Sequence, residues 1–237
     1  MRRRFFVQEF SSGRAVMEAD AAHHVGHVLR AQVGQEYELS DGAQVWLGRI
    51  DAVERDRVEF ALVQPIAAYV PRLKIVLLLS VVKFDAFEWA LEKATELGVT
   101  QVVPLAAQRS EKALLAAAAK RAERWKRIIL EASQQCRRVR VPVLAELAKP
   151  AAAFGSANGL QVTLSELPGA PLLRDVLIGK TETTVTLAIG PEGGWADAEF
   201  AAARAAGFAE ASLGRLILRA ETAVVAALAG VNFALGD

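Results

Sequence analysis

Five consecutive isoleucine, valine and leucine residues lie between Lys74 and Ser80. No polar residue interrupts them, so a strand built from this run must be covered on both faces. Helix-like stretches then alternate with further strand-like ones. Asp85 opens a helix in which Phe84, Phe87, Leu91, Ala94 and Leu97 share one face. Asp85 is placed to cap that helix with Glu88 three residues on, and Gly98 ends it. Thr100 to Val103 reads as a strand closed by Pro104, Lys120 to Gln135 as a basic helix, and Gln161 to Leu164 and Val185 to Ile189 as strands. Asp197 to Ala206 is a helix stopped by Gly207, Ser212 to Leu218 a last strand, and Glu221 to Phe233 a last helix. Alternating strands and helices predict an α/β fold with a mostly parallel sheet.

The first part of the chain has a different period. Tyr37, Leu39, Val45 and Leu47 alternate with polar neighbours around the turn Ser40-Asp41-Gly42, and Val53, Val58, Phe60 and Leu62 continue around the charged turn from Glu54 to Arg57. A short helix, Ala21 to Leu29, interrupts these strands, and Pro65 and Pro71 bracket a linker. The expectation is a small β-barrel-like domain over residues 1–70 and an α/β domain over 71–237.

Charge is unevenly spread. Ten basic and three acidic residues lie between Arg109 and Arg140, a local +7 that leaves −6 for the rest of a chain whose total is +1. Such a concentration is the footprint of a polyanion site. The single cysteine, Cys136, permits no internal disulfide, as in a reducing compartment. The basic start MRRRFFVQEF lacks the roughly 7–15-residue apolar stretch of a secretory signal. No apolar run approaches the roughly 18 residues of a membrane span. The expectation is a soluble cytoplasmic protein with no membrane partner. His23 and His27 stand one helical turn apart, a ligand spacing, but with only Glu18 and Asp20 nearby no metal is expected.

Three strand ends share a glycine-rich texture: VTLSELPG from Val162, AIGPEGGW from Ala188 and SLGRLILRAETA from Ser212. In a parallel sheet, ligands bind outside the carboxyl ends of strands. Gly190, Gly193, Gly194 and Gly214 let backbone approach a ligand closely. Leu164, Leu213, Ile217 and Leu218 supply apolar cover, and the lining between is main chain. Such a pocket suits a flat neutral heterocycle, its edge bonded by backbone and its faces packed by leucines. It does not suit a triphosphate, since neither G-x-x-x-x-G-K-[ST] nor a G-x-G-x-x-G after the first strand is present. The alternative is that each glycine cluster is only a turn.

IGPEGGW with LGRLILRAETA resembles the SPOUT class of methyltransferases, specifically the bacterial family that methylates N3 of a uridine in small-subunit ribosomal RNA. MRRRFFV and HHVGHVLRAQVGQEYELSDG resemble that family's N-terminal PUA-like domain. EKATELGV, QRSE, Arg124-Trp125 and EASQQCRRVRVP resemble its middle motifs. The resemblance implies a trefoil-knotted α/β domain behind a PUA-like β-barrel, S-adenosylmethionine as cofactor, ribosomal RNA or the assembled small subunit as partner, and a homodimer. This chain departs from the family pattern at Gln134 and Arg137, at Phe84 and Ala86, and at Ala196, where Asp197 is left to cap the helix that follows.

On that reading the cofactor contacts are Leu164, Ser165, Glu166, Ile189, Gly190, Pro191, Gly193, Gly194, Leu213, Gly214, Leu216, Ile217 and Leu218. Uridine N3 is protonated at neutral pH, so the reaction needs a proton acceptor or a cation that stabilises the uracil anion. Arg219 and Glu192 are the catalytic candidates by position. Their alternatives are an ion pair of Arg219 with Glu221 and a solvated turn carboxylate. Arg2, Arg3, Arg4, Arg30, Arg109, Ser110, Arg124, Arg127, Arg137, Arg138 and Arg140 are the expected RNA contacts, the alternative for the basic helix being a solvated face. Competing functions are methylation of ribose 2′-oxygen or of transfer RNA, and RNA binding without catalysis.

Overall fold

The protein is described here by a computed structural model covering residues 3–236. It divides into two compact units, residues 1–70 with Ser133–Val141, and Pro71–Ala132 with Pro142–Asp237.

The first unit is built on a six-stranded mixed sheet. Its strands are β1 (Arg4–Phe6), β2 (Phe10–Ser11), β3 (Arg14–Glu18), β4 (Glu36–Ser40), β5 (Val45–Val53) and β6 (Arg57–Pro65), in the order β1-β4-β5-β6-β3-β2. All pairs are antiparallel except β1 with β4. Period-two alternation sends Val58 and Phe60 inward to meet Phe5, Met17, Leu39 and Ile50. The expected helix is two pieces, α1 (Ala19–His23) and a π-helical turn, His24–Val28, which seat Ala22 and Val25 on that core. The parallel register sets Arg4 directly opposite Glu38. There the Arg4 Nε and Nη2 donate to Glu38 Oε2 at 3.1 and 2.8 Å, with both side chains buried.

The second unit carries β7 (Lys74–Ser80), β8 (Val99–Leu105), β9 (Val143–Leu144), β10 (Leu160–Leu164), β11 (Thr184–Ile189) and β12 (Ala209–Ala211). They form one all-parallel sheet in the order β12-β10-β11-β7-β8-β9. β7 lies inside it between β11 and β8, with Leu77, Leu78 and Leu79 all buried, hence its unbroken apolar run. Around the sheet lie α2 (Phe84–Glu96), α3 (Lys112–Gln135), α4 (Pro150–Gly155), α5 (Leu173–Leu177), α6 (Asp197–Ala205) and α7 (Ala220–Leu235). α7 packs on α2 and α5. Among the described residues no helix is long and apolar enough to cross a membrane.

Several local expectations are corrected. α3 begins at Lys112, not Lys120, because the alanine run before Lys120 has the highest helix propensity of any residue type. β8 continues through Pro104, whose carbonyl accepts from the Ala148 N–H. The capping pair at α2 does not form. The helix starts one residue early, with Lys83 at the N-cap, and Glu88 is drawn to α3 instead. There Arg124 Nε donates to both Glu88 oxygens at 2.9 and 2.8 Å, and Arg121 Nη1 to Oε1 at 3.3 Å. At α6 it is Glu199, not Asp197, that serves the helix start, accepting the Ala196 N–H at 2.9 Å.

The largest departure concerns residues 212–218, which are not a strand. β12 stops at Ala211, where its pairing with β10 ends at Leu164. Ser212 Oγ then accepts the Gly214 N–H at 3.2 Å and donates to the Gly214 carbonyl at 2.9 Å, closing a turn at Gly214, φ +131°. The chain leaves the sheet there and runs as an open loop into α7.

Candidate active site

From β7 the chain lays β8 and β9 on one side of it, while β11, β10 and β12 fill the other. The strand order reverses between β7 and β11, and the crevice beyond such a reversal is where open parallel sheets bind ligands. Three loops meet there.

The loop after β10 brings Leu164, Ser165 and Glu166, with Ser165 Oγ accepting the Leu167 N–H at 3.0 Å. The loop after β11 is a tight turn in which the Gly194 N–H donates to the Pro191 carbonyl at 2.8 Å. Gly194 has φ +69°, and a Cβ on it would lie 2.6 Å from Glu166 Oε1, so only glycine fits without displacing Glu166. Trp195 anchors this turn. Its indole N–H donates to the Leu164 carbonyl at 3.1 Å, and its buried ring backs onto Gly190. The third loop, residues 212–218, completes a trough lined by residues from all three.

The trough is lined mostly by main chain and aliphatic side chains, with the carboxylates of Glu166 and Glu192 and the hydroxyls of Ser165 and Ser212 among them. Among the described residues the backbone N–H groups of Leu213, Leu216, Ile217 and Leu218 donate no hydrogen bond. Leu216 and Ile217 are 82 % and 84 % exposed, so the outer wall presents apolar side chains with little packed against them. A ligand lying in the trough would cover both and meet free amide donors. These residues fit a neutral adenosyl-sized group held by its edge.

A second, wider cleft of about 920 Å³ adjoins the trough and shares Glu192, Ile217 and Leu218 with it. Its other walls include Lys83, Asp85, Trp89, Arg219 and Glu221. Arg219 is the N-cap residue of α7 and is exposed, and among the described residues it makes no ion pair, with Glu221 or otherwise. Glu221 Oε2 is buried without a partner among the described residues. Arg219 and Glu192 therefore face one open space that touches the trough.

Of the expected cofactor contacts, all but Gly193 line the trough. Gly193 instead lies against Arg109, whose Nη1 donates to its carbonyl at 2.8 Å. Trp195, Ser212, Ala220 and Ala223 line the trough and were not anticipated. The sequence signal for Trp195 was its place directly after the glycines. Lys83 and Asp85 could have been found as the residues just past the end of β7, the strand beside β11.

The expected RNA contacts divide. Arg2 lies outside the described residues. Arg3, Arg30 and Arg127 are exposed. Arg4 is buried on Glu38, Arg124 is paired with Glu88, and the buried Ser110 hydroxyl donates to the Val81 carbonyl at 2.7 Å. In the first unit Arg137 Nη1 approaches Glu38 Oε1 at 3.5 Å, and Arg140 Nε donates to the Gly42 carbonyl. Arg138 Nε donates to the Arg140 carbonyl at 3.1 Å, and burial pushes its guanidinium below the ordinary arginine value. His23 and His27 stack at 4.8 Å, and among the described residues no group of three or more histidine, cysteine or acidic side chains could hold a metal.

The RNA methyltransferase domain family matches residues 70–232. A ribosomal RNA small subunit methyltransferase E from Synechocystis is 33 % identical over 219 residues, covering 89 % of this chain and 70 % of that protein. A ribosomal RNA small subunit methyltransferase E from Neisseria gonorrhoeae, crystallised bound to S-adenosylmethionine, superposes with a TM-score of 0.90 at 29 % identity over 100 % of this chain and 99 % of its own. A protein from Legionella pneumophila, solved in complex with the same cofactor, gives a TM-score of 0.90 at 30 % identity with the same coverage. The chain belongs to the RNA methyltransferase family, in its ribosomal RNA small subunit methyltransferase E branch.

Proposed function

We propose that this protein transfers a methyl group from S-adenosylmethionine to N3 of a uridine in small-subunit ribosomal RNA. One observation carries the reading. The trough of free amides and aliphatic side chains opens directly onto a cleft holding an exposed, uncommitted arginine and a carboxylate. A donor and an acceptor can thus lie side by side, each against groups suited to it.

When bound, the cofactor supplies an electrophilic methyl group on a sulfonium; the N3–carbon bond forms as the carbon–sulfur bond breaks, and sulfur keeps that electron pair. The chain's own groups do the rest. The amides of Leu213, Leu216, Ile217 and Leu218 and the carbonyls at the strand ends hold a heterocycle edge, while Leu164, Leu213 and Leu218 cover its faces. Arg219 stabilises the negative charge that grows on the uracil oxygens as N3 loses its proton. Glu192, exposed on the glycine turn, accepts that proton. Holding N3 in line with the methyl group supplies much of the remaining acceleration.

The same reading assigns a PUA-like, RNA-gripping role to residues 1–70, catalysis to 71–237, and a trefoil knot to the latter. It also makes the protein a cytoplasmic homodimer acting on naked ribosomal RNA or on the assembled small subunit. Support for a dimer comes from α7, where Thr222, Ala226, Ala229 and Phe233 are all exposed at helical spacing, Phe233 to 95 %.

The test is nucleoside mass spectrometry of small-subunit ribosomal RNA from cells with and without the gene. Loss of 3-methyluridine on deletion, restored by the purified protein with S-adenosylmethionine, is the expected result. An unchanged 3-methyluridine content rejects the assignment. A narrower test addresses the trough. Gly194→Ala puts a side chain at positive φ, costing about 1–2 kcal/mol, and pushes on Glu166. Calorimetry should show S-adenosylhomocysteine bound about tenfold more weakly, and an unaltered affinity would place the ligand elsewhere.

A further inference from the structure

Arg109 sits in the cationic segment that sequence reasoning gives to RNA, yet its guanidinium points at backbone. Nη1 donates to the Gly193 carbonyl at 2.8 Å. A Cβ on Gly193 would lie 3.4 Å from Arg109 Cβ and 3.6 Å from its Cδ, so the arginine stem lies along the bare face of that glycine. We propose that Arg109 is a positioning residue that clamps the 190–195 turn from the side away from the trough. The inference rests on the methyl-transfer reading, which gives that turn its purpose.

The clamp has a rigid base. The loop after β8 is fixed by the Ser110 hydroxyl on the Val81 carbonyl and by the Ser110 N–H on the Ala107 carbonyl at 3.0 Å. Its Gln108 N–H donates to Glu199 Oε1 at 2.8 Å, and the other oxygen of Glu199 takes the Ala196 N–H. Glu199 is buried, so this carboxylate ties the β8 loop to the far end of the glycine turn. Two links therefore join the loops, one at Gly193 and one at Ala196. Without them, among the described residues, the turn keeps its internal Gly194 bond and the Trp195 anchor. Glu192 is the exposed residue between Pro191 and Gly193, and its aim follows that of the turn.

A clamp and a phosphate contact predict different losses. The experiment compares wild type with Arg109→Ala and Arg109→Lys in three measurements. These are hydrogen exchange of the 190–196 peptide without cofactor, calorimetric affinity for S-adenosylhomocysteine, and RNA affinity as a function of salt. For Arg109→Ala the expected result is exchange about tenfold faster and cofactor-product affinity about tenfold weaker, since a charge-assisted hydrogen bond is lost. RNA affinity and its salt slope should stay unchanged, and lysine should recover most of the loss. Unchanged exchange overturns the clamp whatever the ligand result. Lower RNA affinity with a salt slope reduced by about one, and intact cofactor-product binding, makes Arg109 a phosphate contact instead. If the wild type itself binds no S-adenosylhomocysteine, the methyl-transfer reading falls, and the exchange measurement still decides the clamp. Should the alanine variant fail to fold, Arg109→Gln carries the same comparison.

Discussion

Arg219→Ala is expected to slow methyl transfer by about a hundred- to a thousandfold, the usual effect of removing one donor that stabilises charge in a transition state. The expectation rests on what Arg219 does not do. Its backbone caps α7 at φ −64° and ψ 154°, which alanine adopts without strain, and its side chain makes no capping hydrogen bond. An exposed side chain with no structural partner changes stability by only about 0.5 kcal/mol when removed. Loss of rate without loss of fold is thus the signature. Single-turnover methylation of small-subunit ribosomal RNA, run beside thermal unfolding, reads both. Arg219→Lys should recover part of the rate, since it keeps the charge and loses the planar fork. Full activity in the alanine variant would move the stabilising cation to Lys83, which shares the cleft.

Glu38→Ala should destabilise the first unit by about 3–5 kcal/mol, because it strands the Arg4 charge in a buried site. Among the described residues Arg4 would keep only the Arg137 carbonyl as acceptor, and Arg137 would lose its own approach to Glu38. Each kilocalorie lowers the melting temperature of a chain this size by about 2–4 °C, so a fall of roughly 10 °C is expected. Replacing both partners with apolar residues, Arg4→Met with Glu38→Leu, should cost far less, since no charge is left buried. A loss below 1 kcal/mol in the single variant would mean that water reaches the pair.

These two arginines show where the sequence was readable and where it was not. The buried strand β7 could be read to its terminal residues, because a strand covered on both faces writes its environment into consecutive positions. The three strand-end loops were equally visible, since glycine clusters mark backbone geometry locally. Arg4 was not legible. Its partner lies 34 residues away and is set by the register of β1 on β4, which no local pattern encodes. The partners of Arg124 and Ser110 were hidden for the same reason, Glu88 and Val81 being 36 and 29 residues distant. The extended look of residues 212–218 misled differently. Branched and leucine side chains there suggest a strand, but a strand needs a neighbour, and β10 has already ended.

The grouping of Ser133–Val141 with the first 70 residues bears on how the chain is made. Ser40 gives its hydroxyl hydrogen to the Val139 carbonyl at 2.7 Å, and the Gly42 carbonyl receives Arg140. Translation delivers the six strands of the first sheet long before it delivers these closing contacts. The nascent N-terminal unit must therefore wait, incomplete, until α3 has been synthesised and has emerged. Its maturation is tied to that of the second unit by the order in which the ribosome spells them out.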